Sequence, residues 1–307
     1  MQIAVLDIGT NTFNLIIANT NGHSYSIIYS NKIPVKLGEN NKSQDEILDS
    51  AYTRGINALM SHYEVISGYN VDKIYAFGTS ALRTASNGKN FTDEILKKTG
   101  ITINIIEGDK EAELIYLGVK QTISLKDKFL ILDIGGGSNE FIIADNNRIY
   151  WKKSFKLGIA RLLETFKPSD PISIDDINSI NTYLEKELVE LFDNAKKHNI
   201  KKLIGASGSF ETFIAMIEAR KNFISEISLE AKSTPVSHND FNCLYDKLIR
   251  STHKERLNIP GLEPMRAEMI VLAVVFVKFI IEKLDIQHIY QSNFALKEGV
   301  LYQLLNN

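Results

Sequence analysis

Two aspartates stand where an ionised side chain is costly. Asp7 ends the apolar run IAVLDI and Asp133 ends FLILDI, and each is followed by a small polar turn, GTNT at 9 to 12 and GGGS at 135 to 138. A carboxylate beside a buried strand needs a cation or hydrogen bonds to offset its lost hydration. Consecutive backbone N–H groups in a glycine turn can form a concave nest for an anion, and Gly135, Gly136 and Gly137 leave no side chain in the way. Ser138 adds a hydroxyl donor. Carboxylate and nest together make a cradle for a phosphate and its divalent metal, Mg²⁺ before Mn²⁺, because Mg²⁺ binds through one or two carboxylates plus phosphate oxygens. The simpler reading of each stretch is a tight hairpin turn capped by its aspartate.

An internal repeat favours the first reading. VLDIGTNTFNLIIANTN (5 to 21) laid over ILDIGGGSNEFIIADNN (131 to 147) brings Asp7 onto Asp133 and Gly9 onto Gly135. Leu6, Ile8, Ile16, Ile17, Ala18 and Asn21 also meet identical residues. The unit is a strand ending in Asp, a turn, and a returning strand, which is a β-hairpin. Gly9, Thr10, Asn11 and Thr12 are therefore candidate phosphate ligands beside Gly135 to Ser138, with Asp7 and Asp133 as candidate metal ligands. Two copies imply two related domains, 1–122 and 123–307, with a hinge around 118 to 127. The last helix, about 296 to 307, is a candidate to pack back on the first domain.

Three further stretches carry usable groups. GTSALRTASN (78 to 87) follows the strand KIYAF and offers Thr79 and Arg83, whose guanidinium could clamp a phosphoryl group through two hydrogen bonds. GASGS (205 to 209) follows KKLI in the same way and offers Gly208 and Ser209. EGDKEAELIYLG (107 to 118) opens a helix, and Glu111 in its first turns could take a proton from an attacking water. The helix dipole alone would also favour an acid there.

Those residues need an α/β framework, and the chain is patterned for one. IAVLDI, FNLIIA, YSIIY, KIYAFG, ITINII, FLILDI, EFIIAD, KKLIGA and IQHIY read as strands between amphipathic stretches. Ser173 to His198 reads as one helix with Ile177, Ile180, Leu184, Leu188 and Leu191 on its apolar face and Ser173 as its cap. FKPSDP (166 to 171) and KSTPVS (232 to 237) read as surface connections. At 307 residues the chain suits two packed domains, since single cores stop growing near roughly 250 to 300 residues. A net charge of -2 gives no bulk reason to expect nucleic acid or an anionic membrane as partner. The apolar stretch 269 to 281 is too short to span a bilayer and contains Lys278, so a buried helix and a cytoplasmic protein are expected. Cys243 reads as a core thiol. The six histidines show no metal-ligand spacing, and the lysines at 152, 153 and 156 read as a solvated face.

Taken together, the motifs resemble the exopolyphosphatase and guanosine pentaphosphate phosphohydrolase (Ppx/GppA) family, in its short two-domain form. DIGTNTFNLII is similar to the family's first phosphate motif and GTSALRTASN to its second. The Glu111 segment is similar to its catalytic motif, and DIGGGSNE, GASGS, IPGL (259 to 262) and ALKEGVLY (295 to 302) follow in family order. The resemblance implies two related actin-like (ribonuclease H-like) α/β domains, as in actin, sugar kinases and chaperone ATPases, with an interdomain cleft. It implies Glu111 as the general base, Arg83 as a phosphate contact, Glu140 as a second acid in catalysis or metal binding, and Asp133 as a metal ligand. The implied substrates are inorganic polyphosphate and pppGpp, and a homodimer is compatible with the family. Lys110 stands where many members carry another glutamate, Asn139 replaces a threonine, Asn293 and Phe294 replace Asp-Gly, and Lys297 replaces an arginine. Lys110, Asn293 and Lys297 keep open a non-catalytic sensor of polyphosphate or guanosine tetraphosphate; the scaffold also admits a small-molecule kinase.

Overall fold

The structure is a computed structural model that describes residues 1–39, 46–221 and 232–306. Two sheets carry the strands. The first has the order β3-β2-β1-β4-β5, with β1 Gln2–Ile8, β2 Thr12–Thr20, β3 Tyr25–Pro34, β4 Lys73–Gly78 and β5 Ile103–Ile105. The second has the order β8-β7-β6-β9-β11-β10, with β6 Phe129–Ile134, β7 Asn139–Ala144, β8 Ile149–Phe155, β9 Lys202–Ala206, β10 Ser233–Val236 and β11 His288–Ser292. In both, three antiparallel strands lead into parallel neighbours, because β4 runs parallel to β1 and β9 runs parallel to β6. The repeat seen in one hairpin therefore extends to five strands of each sheet.

All nine anticipated strands form, although only three residues of ITINII pair. Two strands were not anticipated. β8 is an edge strand in which Lys152 and Lys153 interrupt the apolar pattern, and it pairs with β7 through its backbone. β10 occupies the stretch read as a connection; Pro235 is tolerated because β10 is also an edge. The helix expected over Ser173 to His198 is two helices, Ile174–Glu187 and Val189–Lys197, with Leu188 leaving helical geometry between them. Ser173 does cap the first: its hydroxyl accepts from the Asp176 amide while the Asp176 carboxylate accepts from the Ser173 amide. Cys243 is half-buried on the surface helix His238–Arg250 and is not a core thiol.

Every residue of β6 and β7 is buried, as expected for central strands covered on both faces. The helix Ile270–Lys283 covers one face and is buried from Ile270 to Phe276 without a break. Among the described residues no helix is long and apolar enough to cross a membrane. Between the sheets lie two helices, Gly108–Val119 and Leu296–Asn306. One apolar cluster joins Ile3, Val5 and Ile16 of the first sheet to Ile131 and Ile142 of the second through Leu114, Ile115, Val300 and Leu301 of these helices. Burial of each such side chain contributes about 1.5–3 kcal/mol. The helices meet closely because Gly118 and Gly299 carry no side chain: a Cβ at Gly118 would lie 1.9 Å from the Ala295 carbonyl oxygen, and one at Gly299 would lie 1.7 Å from that of Leu114. This pair holds the second half of the Glu111 helix against the last helix.

Candidate active site

The two hairpin turns close alike. Gly9 N–H donates to the Thr12 carbonyl at 3.1 Å, and Gly135 N–H donates to that of Ser138 at the same distance. Register then places Asp7 opposite Asn14 and Asp133 opposite Glu140. The turns face and touch each other. A Cβ on Gly136 would come within 2.7 Å of the Asn11 amide nitrogen, and one on Gly137 within 2.6 Å of Ser80 Oγ and 3.0 Å of Thr10 Oγ1. A side chain at either position would force those of Asn11, Ser80 or Thr10 to shift. Asn11 Nδ2 also reaches Met269 Sδ at 3.4 Å, and Lys32 pairs with Glu263 at 2.7 Å, so contacts between the two halves rim the site.

A cavity of about 160 Å³ opens between the turns. It is lined by Gly9, Thr10, Asn11, Thr12, Thr79, Gly135, Gly136, Gly137, Ser138, Gly208 and Ser209, together with the carboxylates of Asp7, Glu111, Asp133 and Glu140. Thus all but one of the residues singled out from the sequence meet at one place. The exception is Arg83, which does not line the cavity. Its guanidinium donates to the Ile106 carbonyl at 2.6 Å and to Glu111 Oε2 at 3.2 Å, so it reaches the site through Glu111.

Burial dominates the electrostatics. Glu111 is 8% exposed, and burial followed by repulsion from Glu140 raises its pKa well above the usual carboxylate range, against the pull of Arg83. Burial, then Glu140, pushes Asp133 up to about 7, although Ser207 Oγ donates to it at 2.7 Å. Ser207 adopts a φ of 63°, a conformation disfavoured for serine, and its hydroxyl serves the aspartate from there. Glu140 is also raised by burial; Ser154 and Ser138 hold it down, both donating to its Oε1 at 2.7 Å. Asp7 is raised by burial and moderated by the nearby Lys297 and by Asn14, whose amide donates at 3.0 Å.

Several site residues escaped sequence reading. Ser80, Asn14, Ser207 and Arg266 all line the cavity, as does Lys297, which the sequence marked only as a departure from the family pattern, and Ser154 braces Glu140 from β8. Ser80 and Ser207 lay inside strand-end loops already marked as chemical, which was signal enough. Ser154 lay in a strand that lysines disguised. Lys110 turns away from the site, donating to Glu113 at 3.3 Å and to Gln303 at 3.2 Å. Asn139 is a brace for the second turn, accepting from Gly135 N–H at 3.1 Å and donating to the Leu157 carbonyl at 2.9 Å.

Known proteins are similar to this chain in sequence and in fold. The crystal structure of an exopolyphosphatase from Cytophaga hutchinsonii superposes with a TM-score of 0.96 at 36% identity, covering 100% of this chain and 98% of that one. A Haemophilus influenzae protein provisionally named an exopolyphosphatase is 29% identical over 100% of this chain and 92% of its own length. A guanosine-5'-triphosphate,3'-diphosphate pyrophosphatase of Photobacterium profundum is 26% identical over 99% of this chain, which spans 59% of that relative. The model of the Ppx/GppA phosphatase family matches residues 15–307. Two repeated α/β units thus build the fold, and the chain belongs to the Ppx/GppA phosphatase family.

Proposed function

We propose that this protein hydrolyses phosphoanhydrides, removing the terminal phosphoryl group of inorganic polyphosphate. The observation that carries the reading is Glu111: a buried carboxylate of raised pKa, oriented by Arg83, on the wall of the cavity that both glycine turns line. A base whose pKa is raised accepts a proton from water more readily than an ordinary carboxylate. The terminal phosphoryl group sits between the turns, its oxygens meeting the N–H groups of 10 to 12 and 136 to 138 and the hydroxyl of Thr10. Glu111 removes a proton from a water in line with the scissile bond. Water oxygen bonds to phosphorus as the bridging oxygen leaves with the shortened chain.

Mg²⁺ fits the donor set. Asp7 and Asp133 present hard oxygen ligands whose charged forms are disfavoured by burial, and a divalent cation would relieve that cost. Mg²⁺ can be retained by one or two carboxylates plus substrate oxygens. Asp7 and Asp133, with Glu140 beside Asp133, would hold it, and it would neutralise developing charge on the phosphoryl oxygens.

Lys110, one motive for a non-catalytic sensor, points at Glu113 and Gln303 and leaves Glu111 undisturbed. Phosphate release is to be measured in parallel from long polyphosphate, tripolyphosphate and pppGpp, with Mg²⁺ and with EDTA. Mg²⁺-dependent release from polyphosphate is expected. Tight binding of all three without release would replace the hydrolase with a sensor.

A further inference from the structure

Lys297 lies in the first turn of the helix Leu296–Asn306 and lines the cavity. Four carboxylates act on its ammonium: Glu298 of its own helix, Asp7 from β1, Asp133 from β6 and Glu211 from the helix Ser207–Arg220. Burial opposes the charge, yet their combined field outweighs burial, so Lys297 stays protonated. Each of the four is engaged elsewhere. Glu298 accepts from the Ala295 amide at 2.8 Å, Asp7 from Asn14, Asp133 from Ser207, and Glu211 lies 3.9 Å from Lys32.

The other cations near the cavity are committed to carboxylates. Arg83 is paired with Glu111, Arg266 and Lys32 with Glu263, and Lys36 with Glu39. Lys297 alone among them has neither a hydrogen bond nor a close ion pair among the described residues. Its three N–H donors are held over the cavity by the surrounding field without being consumed. A polyanion entering a cavity rich in carboxylates needs such a cation, and the N-terminus of the helix, where Ala295 and Leu296 also line the cavity, adds to the attraction.

We propose that the Lys297 ammonium is a phosphoryl-oxygen ligand in this cavity, a cation that the C-terminal helix contributes and neither hairpin contains. The proposal rests on the reading of the cavity as a phosphoanhydride site. Unlike that reading, it concerns binding, and it can be tested without turnover.

Tripolyphosphate binding is measured by calorimetry in EDTA with wild type, Lys297→Met and Lys297→Arg, each checked for a cooperative thermal transition. Loss of one charge-assisted contact predicts about tenfold or greater weakening for Lys297→Met, with Lys297→Arg within about threefold of wild type. Unchanged affinity in a folded Lys297→Met would overturn the proposal. Should Lys297→Met not fold, acetylation of the wild-type protein answers the same question by mass spectrometry: tripolyphosphate is expected to protect Lys297, and equal labelling with and without it contradicts the assignment. A wild type that binds and is protected, yet never releases phosphate, would sink the hydrolase reading and leave Lys297 in place.

Discussion

The β1–β2 and β6–β7 hairpins share their turn closure and their strand-end aspartate, and they differ in what stands opposite that aspartate. Opposite Asp7 stands Asn14, an amide that donates to it; opposite Asp133 stands Glu140, a second buried acid that repels it. Duplication thus kept the geometry of the holder and separated the charge. The first hairpin keeps its aspartate tempered by an amide and by Lys297, while the second carries two carboxylates whose cost is offset by three serine hydroxyls from 138, 154 and 207. Two copies of one motif need not play one role. The second is the copy in which two buried acids oppose each other's ionisation.

The largest effect is expected where the hairpins touch. Gly137→Val would drive a branched side chain into Ser80 and Thr10 and part the two turns, with a loss of about a hundredfold or more in kcat/KM from misplacement. Gly9→Ala meets only the Thr12 carbonyl oxygen at 3.0 Å and is expected to lose less than about tenfold. Equal losses would mean that contact between the turns is irrelevant to activity.

Glu140→Gln removes the charge that separates the hairpins and makes the second resemble the first. Turnover is expected to fall about ten- to a hundredfold. Because Glu140 is, after burial, the next cause of the raised Glu111 and Asp133 values, the acidic limb of the pH–rate profile should move to lower pH. An unmoved limb would remove Glu140 from the electrostatics of the base.

Asp133 gives a test of stability. Its pKa rises from 3.8 to about 7 on folding, so the folded state binds its proton more tightly than the unfolded state does. That contribution is fully present below pH 3.8 and is lost as pH rises through about 7. At pH 8 without metal the buried charge weighs against the fold. Asp133→Asn should then stabilise the protein by roughly 1–3 kcal/mol in urea titrations, with little gain at pH 4. The smallest effect is expected for Lys110→Ala, within about twofold of wild-type turnover, since its partners are surface groups outside the cavity.

Much of this was legible in the chain because backbone-driven features leave short, local signatures. The Asp-turn-strand repeat, the strand-end loops and the Ser173 cap could all be read from adjacent residues. What escaped depends on neighbours far apart in sequence. β8 was hidden because an edge strand satisfies its backbone through β7 whatever its side chains are, and Lys152 and Lys153 masked its period. Arg83 looked like a phosphate clamp, and only the fold brings Glu111 close enough to occupy it. Lys297 drew notice as a departure from the family pattern, but its place beside Asp7 and Asp133 is set by two glycines, Gly118 and Gly299, that let the last helix pack tightly.

The claim that holding and breaking the phosphoanhydride are separate tasks meets its most direct test in Glu111→Gln, assayed for tripolyphosphate affinity and for phosphate release on one preparation. Affinity within about threefold of wild type with release lowered about a thousandfold is the predicted result. Wild-type release from that variant would contradict it and return the chemistry to the hairpins.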